Sequence, residues 1–386
     1  MKRRGNREGS IYKRKDGVWC GAVTLGRDYK TGKLIRKVAY GKTRAEVAEK
    51  LNKLLRDYNL GFLSPHGEHL QFGQWLWTYL NIYKKPTIRE TTYELYRGIL
   101  NNHLPNALAL APLEKLRSED LQRLYLELEK EGYSRLVQIL HNFIHSALEQ
   151  ALRLGYIPRN VSSATTRPRA RKKEIKVLNQ EEIERFLECA KNHRLYPAFL
   201  LLLTTGLRRG ELLGLEWKNI NWERKTLTVE RNLVYLKGKF RFEEPKTKGS
   251  YRTIPLSDNA FKVLKKWRKK WLEERIKLGA DWPNTDLVFP SEAHTPMNPR
   301  NFLRTLKGIL KEAGLPLDVT IHSLRHTYAT MLLSQGEHPK VVQELLGHSS
   351  ITTTLDVYSK VMPGLKEQAV KKLDAFFQEV LPKEEK

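Results

Sequence analysis

Cysteine is nearly absent. Cys20 and Cys189 are the only two in 386 residues, and they stand far apart. That excludes a disulfide framework and a cysteine-ligated zinc motif, and it suits a reducing cytosol. Long apolar runs are missing too. The longest strongly apolar stretch, residues 198–203, is far too short to span a bilayer. The basic start, residues 1–7, has no apolar run behind it and does not read as a signal peptide. A cytoplasmic protein with no membrane partner is expected. Acidic residues are in short supply, 43 Asp and Glu against 69 Lys and Arg. They form no cluster of the kind a two-metal nuclease needs. No phosphate-cradling G-x-x-x-x-G-K-[ST] motif occurs either. Neither a metal nor any other cofactor is expected.

What is present is positive charge. The net charge of +26 favours a polyanionic partner over a neutral small substrate. The length sets a prior of two or three domains, each able to bury a core.

The first unit spans residues 1–62. Its first 60 residues carry 17 Lys and Arg against 6 Asp and Glu. Short segments at 10–13, 18–25 and 33–39 read as strands. Asp16-Gly17 and Thr31-Gly32 are hairpin turn signals between them. Thr43 opens a helix with Ala48, Leu51, Leu54 and Leu55 on its apolar face. Residues 61–68 contain Gly61, Pro65 and Gly67 and read as a linker.

Residues 69–160 read as wholly helical, with helices near 70–84, 88–102, 118–131 and 134–154. The last has a broad apolar stripe that belongs at a bundle centre. His141 and His145 have the i, i+4 spacing of a metal pair. They lack a third ligand nearby, so core or partner-facing histidines are expected. Residues 161–176 are polar and strongly basic and read as an extended linker whose charge would meet phosphates.

The third unit, 177–386, opens with helices at 179–192 and 197–206. Strands are expected at 226–230, 232–236, 239–242 and 251–256, with a tight basic turn, PKTKGS, at 245–250. Helices at 258–278 and 298–313 follow. An amphipathic helix is expected at 364–380.

The richest stretch runs from Thr320 to Tyr358. His322 and Arg325 are three apart in a segment with helical apolar spacing, which puts them on one helix face. A short helix follows Pro339 and stops at Gly347. His348 comes next, and Tyr358 lies ten residues on. Two imidazoles, a guanidinium and a phenol can therefore converge on one anion. Upstream, T-G-L-R-R-G-E-L at 205–212 places Arg208 near the start of a helix.

The order H-x-x-R, then G-H, then Y resembles the C-terminal half of the tyrosine recombinase (phage integrase) active site. T-G-L-R-R-G-E-L resembles the first-arginine box of the same family. The resemblance covers the chain in domain order and is most specific over residues 204–358. It implies a catalytic set of Arg208, Lys246, His322, Arg325, His348 and Tyr358. Lys246 is the family's turn lysine, in a hairpin ending in I-P-L; Lys248 could serve instead. The implied fold is multidomain α+β. A three-stranded sheet plus helix that binds arm-type DNA sites comes first. A helical core-DNA-binding bundle follows, then a mostly α catalytic domain with a small antiparallel sheet.

Elementary chemistry points the same way. Phosphodiester cleavage by a side chain needs a nucleophile, a stabiliser of phosphorane charge and an acid for the leaving oxygen. Arg208 and Arg325 can each donate a planar fork to non-bridging oxygens. Tyr358 has an unperturbed pKa of about 10, so it needs a cationic site or a base to ionise. Lys246 would protonate the departing 5′ oxygen, His322 would handle the tyrosine proton, and His348 would hydrogen-bond the phosphate. Glu211 either orients the basic cluster and His322 or is an exposed helix carboxylate. His326 and Arg209 read as structural and solvated neighbours, and His294 is given no role.

The expected activity is that of a site-specific DNA recombinase, the integrase of a prophage or conjugative element, working through a covalent 3′-phosphotyrosine without metal or ATP. Its expected partners are double-stranded DNA at core and arm-type sites, further copies of itself as a homotetramer on paired sites, and host DNA-bending and excision factors. A type IB topoisomerase shares the chemistry, but the arm-type domain argues against it. A catalytically silent DNA-binding protein is opposed by the intact set of six.

Overall fold

The computed structural model describes residues 10–27, 33–59, 70–167, 176–245, 248–283, 285–352 and 354–355, with isolated helical positions at 370, 373, 374 and 377. The chain divides into two compact units, 1–172 and 173–386.

In the first unit, β1 (Ser10–Lys13), β2 (Trp19–Arg27) and β3 (Leu34–Gly41) form an antiparallel sheet in that order. All three strands fall where turn chemistry and alternation place them, to within two residues. Helix α1 (Arg44–Asn59) packs Val47 and Leu51 onto Val23, Leu25 and Ala39. Gly21 makes this close approach possible, because a Cβ there would lie 2.6 Å from both Leu51 and Val47. On the opposite face Tyr12 and Tyr40 flank Cys20 across the strands, and both rings are exposed.

The helical part holds α2 (Phe72–Thr78), α3 (Glu90–His103), the one-turn α4 (Asn106–Ala109), α5 (Ser118–Lys130) and α6 (Ser134–Arg153). The expected helix at 70–84 is irregular: after Thr78 it widens into a π-helical turn, Tyr79–Lys84. A 3₁₀ turn containing Pro86 follows. The α6 stripe is the centre of this core, with Val137, Leu140, Phe143, Ile144, Ala147, Leu148 and Ala151 all buried. The Trp75 indole donates to the Ala147 carbonyl at 2.8 Å. His145 shares a hydrogen bond with Ser162 Oγ at 3.0 Å, and Asn160 donates to its carbonyl. That histidine secures the turn at 160–165.

The second unit begins with α7 (Gln180–Ala190) and α8 (Tyr196–Thr205). The run at 198–203 is the heart of its core, apolar on nearly every side because α8 is surrounded. Helix α9 (Arg209–Leu213) follows a left-handed Gly206. The expected strands form not one sheet but two. β4 (Ile220–Asn221), β5 (Thr226–Val229) and β8 (Arg252–Pro255) make one antiparallel sheet. β6 (Asn232–Leu236) and β7 (Lys239–Glu243) make a separate hairpin. The two-residue β4 is too short to show alternation, which is why the sequence pattern misses it. Helices α10 (Asp258–Leu278), α11 (Pro299–Glu312), α12 (Ile321–Ser334) and α13 (Pro339–Leu346) complete the unit. Trp267 and Trp271 on α10 donate to the carbonyls of Val288 and Leu287 and fix that loop. The expected helix at 364–380 lies outside the described residues except at the four isolated positions. Of these, Val370, Leu373 and Phe377 are exposed.

Candidate active site

Helix α12 starts with a reciprocal cap. Ser323 N–H donates to Thr320 Oγ1 at 3.1 Å, and Thr320 N–H donates to Ser323 Oγ at 3.0 Å. This fixes the helix start, and with it the positions of His322 and Arg325. The two do not share an environment. His322 is exposed, whereas Arg325 is 2% exposed and turned into the protein. Arg325 Nη1 donates to the Gly206 carbonyl at 2.7 Å and Nη2 to the Leu346 carbonyl at 2.5 Å. These bonds use two of its five N–H donors.

Arg208 is the N-cap residue of α9. Its backbone N–H donates to Glu211 Oε2 at 2.8 Å and its Nη1 to Glu211 Oε1 at 2.7 Å. Its Nη2 donates to the Gly347 carbonyl at 3.0 Å. Glu211 is buried, so the reading of it as an exposed carboxylate fails. It orients the basic cluster, but among the described residues no hydrogen bond joins it to His322.

A third arginine, which the motifs do not single out, completes the group. Arg252 Nη2 and Nη1 donate to Glu211 Oε2 and Oε1 at 2.9 and 3.2 Å, and its Nε donates to the Leu345 carbonyl at 2.7 Å. The signal was in the sequence. Arg252 occupies an inward position of an alternating strand, where a charge needs a buried partner.

The last carbonyls of α13 have no partner within the helix. Those of Leu345, Leu346 and Gly347 accept from Arg252, Arg325 and Arg208 in turn. The negative end of the helix dipole favours that arrangement. Gly347 takes φ 63° and turns the chain, which delivers His348 beside the arginines. His348 Nδ1 shares a 2.9 Å hydrogen bond with Thr354 Oγ1. The His322 and His326 rings meet edge to face, 4.6 Å between centroids, with His326 buried behind. Arg209 is exposed, as expected of a solvated neighbour.

The electrostatics follow from this geometry. Burial pushes the Glu211 carboxyl up, but the hydrogen bonds and charge of Arg252, then those of Arg208, outweigh it and hold it at about 2. Burial, then the facing Arg208, pushes Arg325 down to about 9, so it stays charged at neutral pH. Partial desolvation, then Arg325 and Arg208, lowers both histidines, His348 to about 3, even though His322 keeps an edge open to solvent. The site therefore concentrates three guanidinium charges against one carboxylate, beside two imidazoles kept neutral. Such a site stabilises an anion with two or more oxygens.

The structure thus brings together Arg208, His322, Arg325 and His348, four of the six expected residues. Lys246 and Tyr358 lie outside the described residues. Lys248, the alternative turn lysine, opens a 3₁₀ turn to Ser250. Among the described residues no group of three His, Cys, Asp or Glu side chains could hold a metal ion. Nor is any described helix long and apolar enough to cross a membrane.

Residues 176–363 match the phage integrase family, and residues 71–128 match the phage integrase N-terminal SAM-like domain. A tyrosine recombinase XerC-like protein from Caldanaerobacter subterraneus subsp. tengcongensis is 35% identical over 92% of this chain and 95% of its own length. The ICEBs1 integrase of Bacillus subtilis is 26% identical over 95% of this chain and 99% of its own. Among solved structures, the Tn1549 transposon integrase in complex with circular intermediate DNA superposes with a TM-score of 0.68 at 21% identity. That match covers 79% of this chain and all of that one. A lambda integrase dimer bound to a core site gives 0.58 at 20% identity, over 92% of this chain and 96% of that one. These two share the fold. By the family match and the identity held along nearly its whole length, the chain belongs to the phage integrase family and is a tyrosine-type site-specific recombinase.

Proposed function

We propose that this recombinase is the integrase of a mobile element and that it cuts and rejoins double-stranded DNA through a covalent bond between Tyr358 and a 3′ phosphate. The convergence of Arg208 and Arg325 on adjacent carbonyls at the end of α13 carries the reading. It leaves an excess of positive charge where only an anion would balance it, and a scissile phosphate fits. Arg208 and Arg325 hold the non-bridging oxygens and stabilise the phosphorane. His348, neutral, hydrogen-bonds the phosphate. His322 takes the tyrosine proton, and Lys246 gives one to the departing 5′ oxygen. The phosphotyrosine keeps the bond energy, so a 5′ hydroxyl from another strand reseals the backbone without ATP or a metal.

The other parts supply grip and place. Residues 69–160 hold the core site, the basic stretch at 161–176 adds phosphate contacts, and the sheet of residues 1–62 binds a separate arm-type site. A homotetramer assembles on paired sites, with host bending and excision factors as further partners. The mobile-element origin is supported by likeness to the ICEBs1 integrase and to the transposase from transposon Tn916 of Enterococcus faecalis.

A nicked suicide duplex tests the nucleophile. The short 5′ fragment diffuses away after attack and traps the protein on the 3′ phosphate. The wild type should give an adduct mapped to Tyr358, unchanged by EDTA. Tyr358→Phe should bind DNA and give none. Arg208→Ala and Arg325→Ala should bind but cleave roughly a hundredfold more slowly, the usual scale for losing one charge-stabilising donor. An adduct at any other residue would overturn the assignment.

A further inference from the structure

Arg252 makes four hydrogen bonds in three directions, and none of them is to a group that reacts. Its fork grips both oxygens of Glu211, and the same carboxylate grips Arg208 through its side chain and its backbone. Its Nε holds the Leu345 carbonyl, two residues before the Gly347 turn that delivers His348. Its Nη1 also reaches the Ser250 carbonyl at 3.3 Å, at the end of the basic turn. Its aliphatic stem lies against Gly347. A Cβ on that glycine would sit 3.0 Å from Arg252 Cδ and from the Gly249 carbonyl. The side chain is 6% exposed, so these contacts hold it in one place.

We infer that Arg252 is a positioning residue for DNA cleavage. It fixes Glu211, and through it Arg208, relative to the His348 turn and the turn Lys248–Ser250. The inference rests on the reading of Arg208 and His348 as phosphate-binding groups. Its physical basis is the planar fork. A buried carboxylate held by two guanidiniums has one orientation, whereas an ammonium is a point charge that leaves it free to rotate. A displacement of about 1 Å in a phosphate donor is enough to slow a reaction about a hundredfold. Substrate grip, spread over many phosphate contacts, would be spared.

The test compares Arg252→Lys and Arg252→Gln with the wild type on the suicide duplex, at saturating protein, alongside DNA affinity and melting temperature. Each variant is read well below its own melting temperature, so that only folded protein is compared. Glu211→Gln is made alone and with Arg252→Lys to close a double-mutant cycle. Cleavage by Arg252→Lys is expected to fall at least roughly tenfold, with DNA affinity within about twofold. Arg252→Gln, which cannot fork, should be as slow or slower. The double variant should be little slower than the worse single one, because both act through one contact. Cleavage at wild-type rate by both Arg252 variants, or losses that simply add in the cycle, would overturn the inference. Arg208→Ala separates the two levels. If it cleaves as the wild type does, the reading of the site has failed. If it is slow while both Arg252 variants are fast, only the role of Arg252 has failed.

Discussion

His348 and Thr354 share a hydrogen bond of 2.9 Å between Nδ1 and Oγ1, and Thr354 is fully buried four residues before Tyr358. One ring nitrogen of His348 is thereby committed to the protein. The other stays available for a phosphate oxygen, the role proposed for this imidazole. The same bond ties the histidine turn to the segment that carries the proposed nucleophile.

Removing that bond should therefore slow chemistry more than binding. Thr354→Val keeps the shape and loses the hydroxyl, and should cleave a suicide duplex roughly tenfold more slowly, with DNA affinity little changed. Thr354→Ser should cleave near the wild-type rate. Equal rates for valine and threonine would mean that the contact does not orient the ring.

Two groups, the buried Glu211 and the half-buried His348, make folding stability depend on pH with the same sign. His348 is held at about 3 in the fold by burial and then by Arg325 and Arg208, against 6.5 in an unfolded chain. Between those values the unfolded chain takes up a proton that the folded one refuses, so stability falls as pH drops. Glu211 stands at about 2 against 4.5, because its bonds to Arg252 and Arg208 outweigh the opposing effect of burial. Its contribution is complete above pH 4.5 and disappears as pH falls through 2. The melting temperature should decline from pH 7 to pH 4, and His348→Asn should flatten the part above pH 4.5. An unchanged slope in that variant would place His348 in a more solvated setting than the structure gives it.

Lys246 is proposed to be the acid for the leaving oxygen. Lys246→Ala should slow cleavage, and a 5′-phosphorothiolate at the scissile bond should restore much of the rate, because sulfur departs without a proton. Rescue confined to Lys248→Ala would move the role two residues on.

Residues 1–60 are proposed to read a site of their own. Their deletion should leave cleavage of a short core duplex intact and abolish productive integration in a two-site assay. Loss of core cleavage would instead make this sheet part of the core grip. The exposed Tyr12 and Tyr40, on the face away from α1, are where contact with DNA is expected.

The family, the order of elements and four residues of the candidate site were legible in the sequence, because each depends on local pattern. Turn glycines, strand alternation and helical spacing act over a few residues, and they placed β1, β6 and α10 to within a residue or two. Arg208 and His348 were legible for a related reason: each follows a Gly that ends a helix, at Gly206 and Gly347. What the pattern did not show is which groups those residues touch. Spacing put His322 and Arg325 on one face of α12, yet the fold leaves the first exposed and buries the second. It did so because α8 and α13 end beside that helix and present carbonyls that only a donor can satisfy. The partners of Arg252, Glu211 and Thr354 came only from tertiary structure. Glu211 and Arg252 lie 41 residues apart, and a buried charge is tolerated only where a distant strand brings it an opposite one. Local sequence fixes which groups a helix or strand carries. Burial, which is a property of the whole chain, decides which of them must pair.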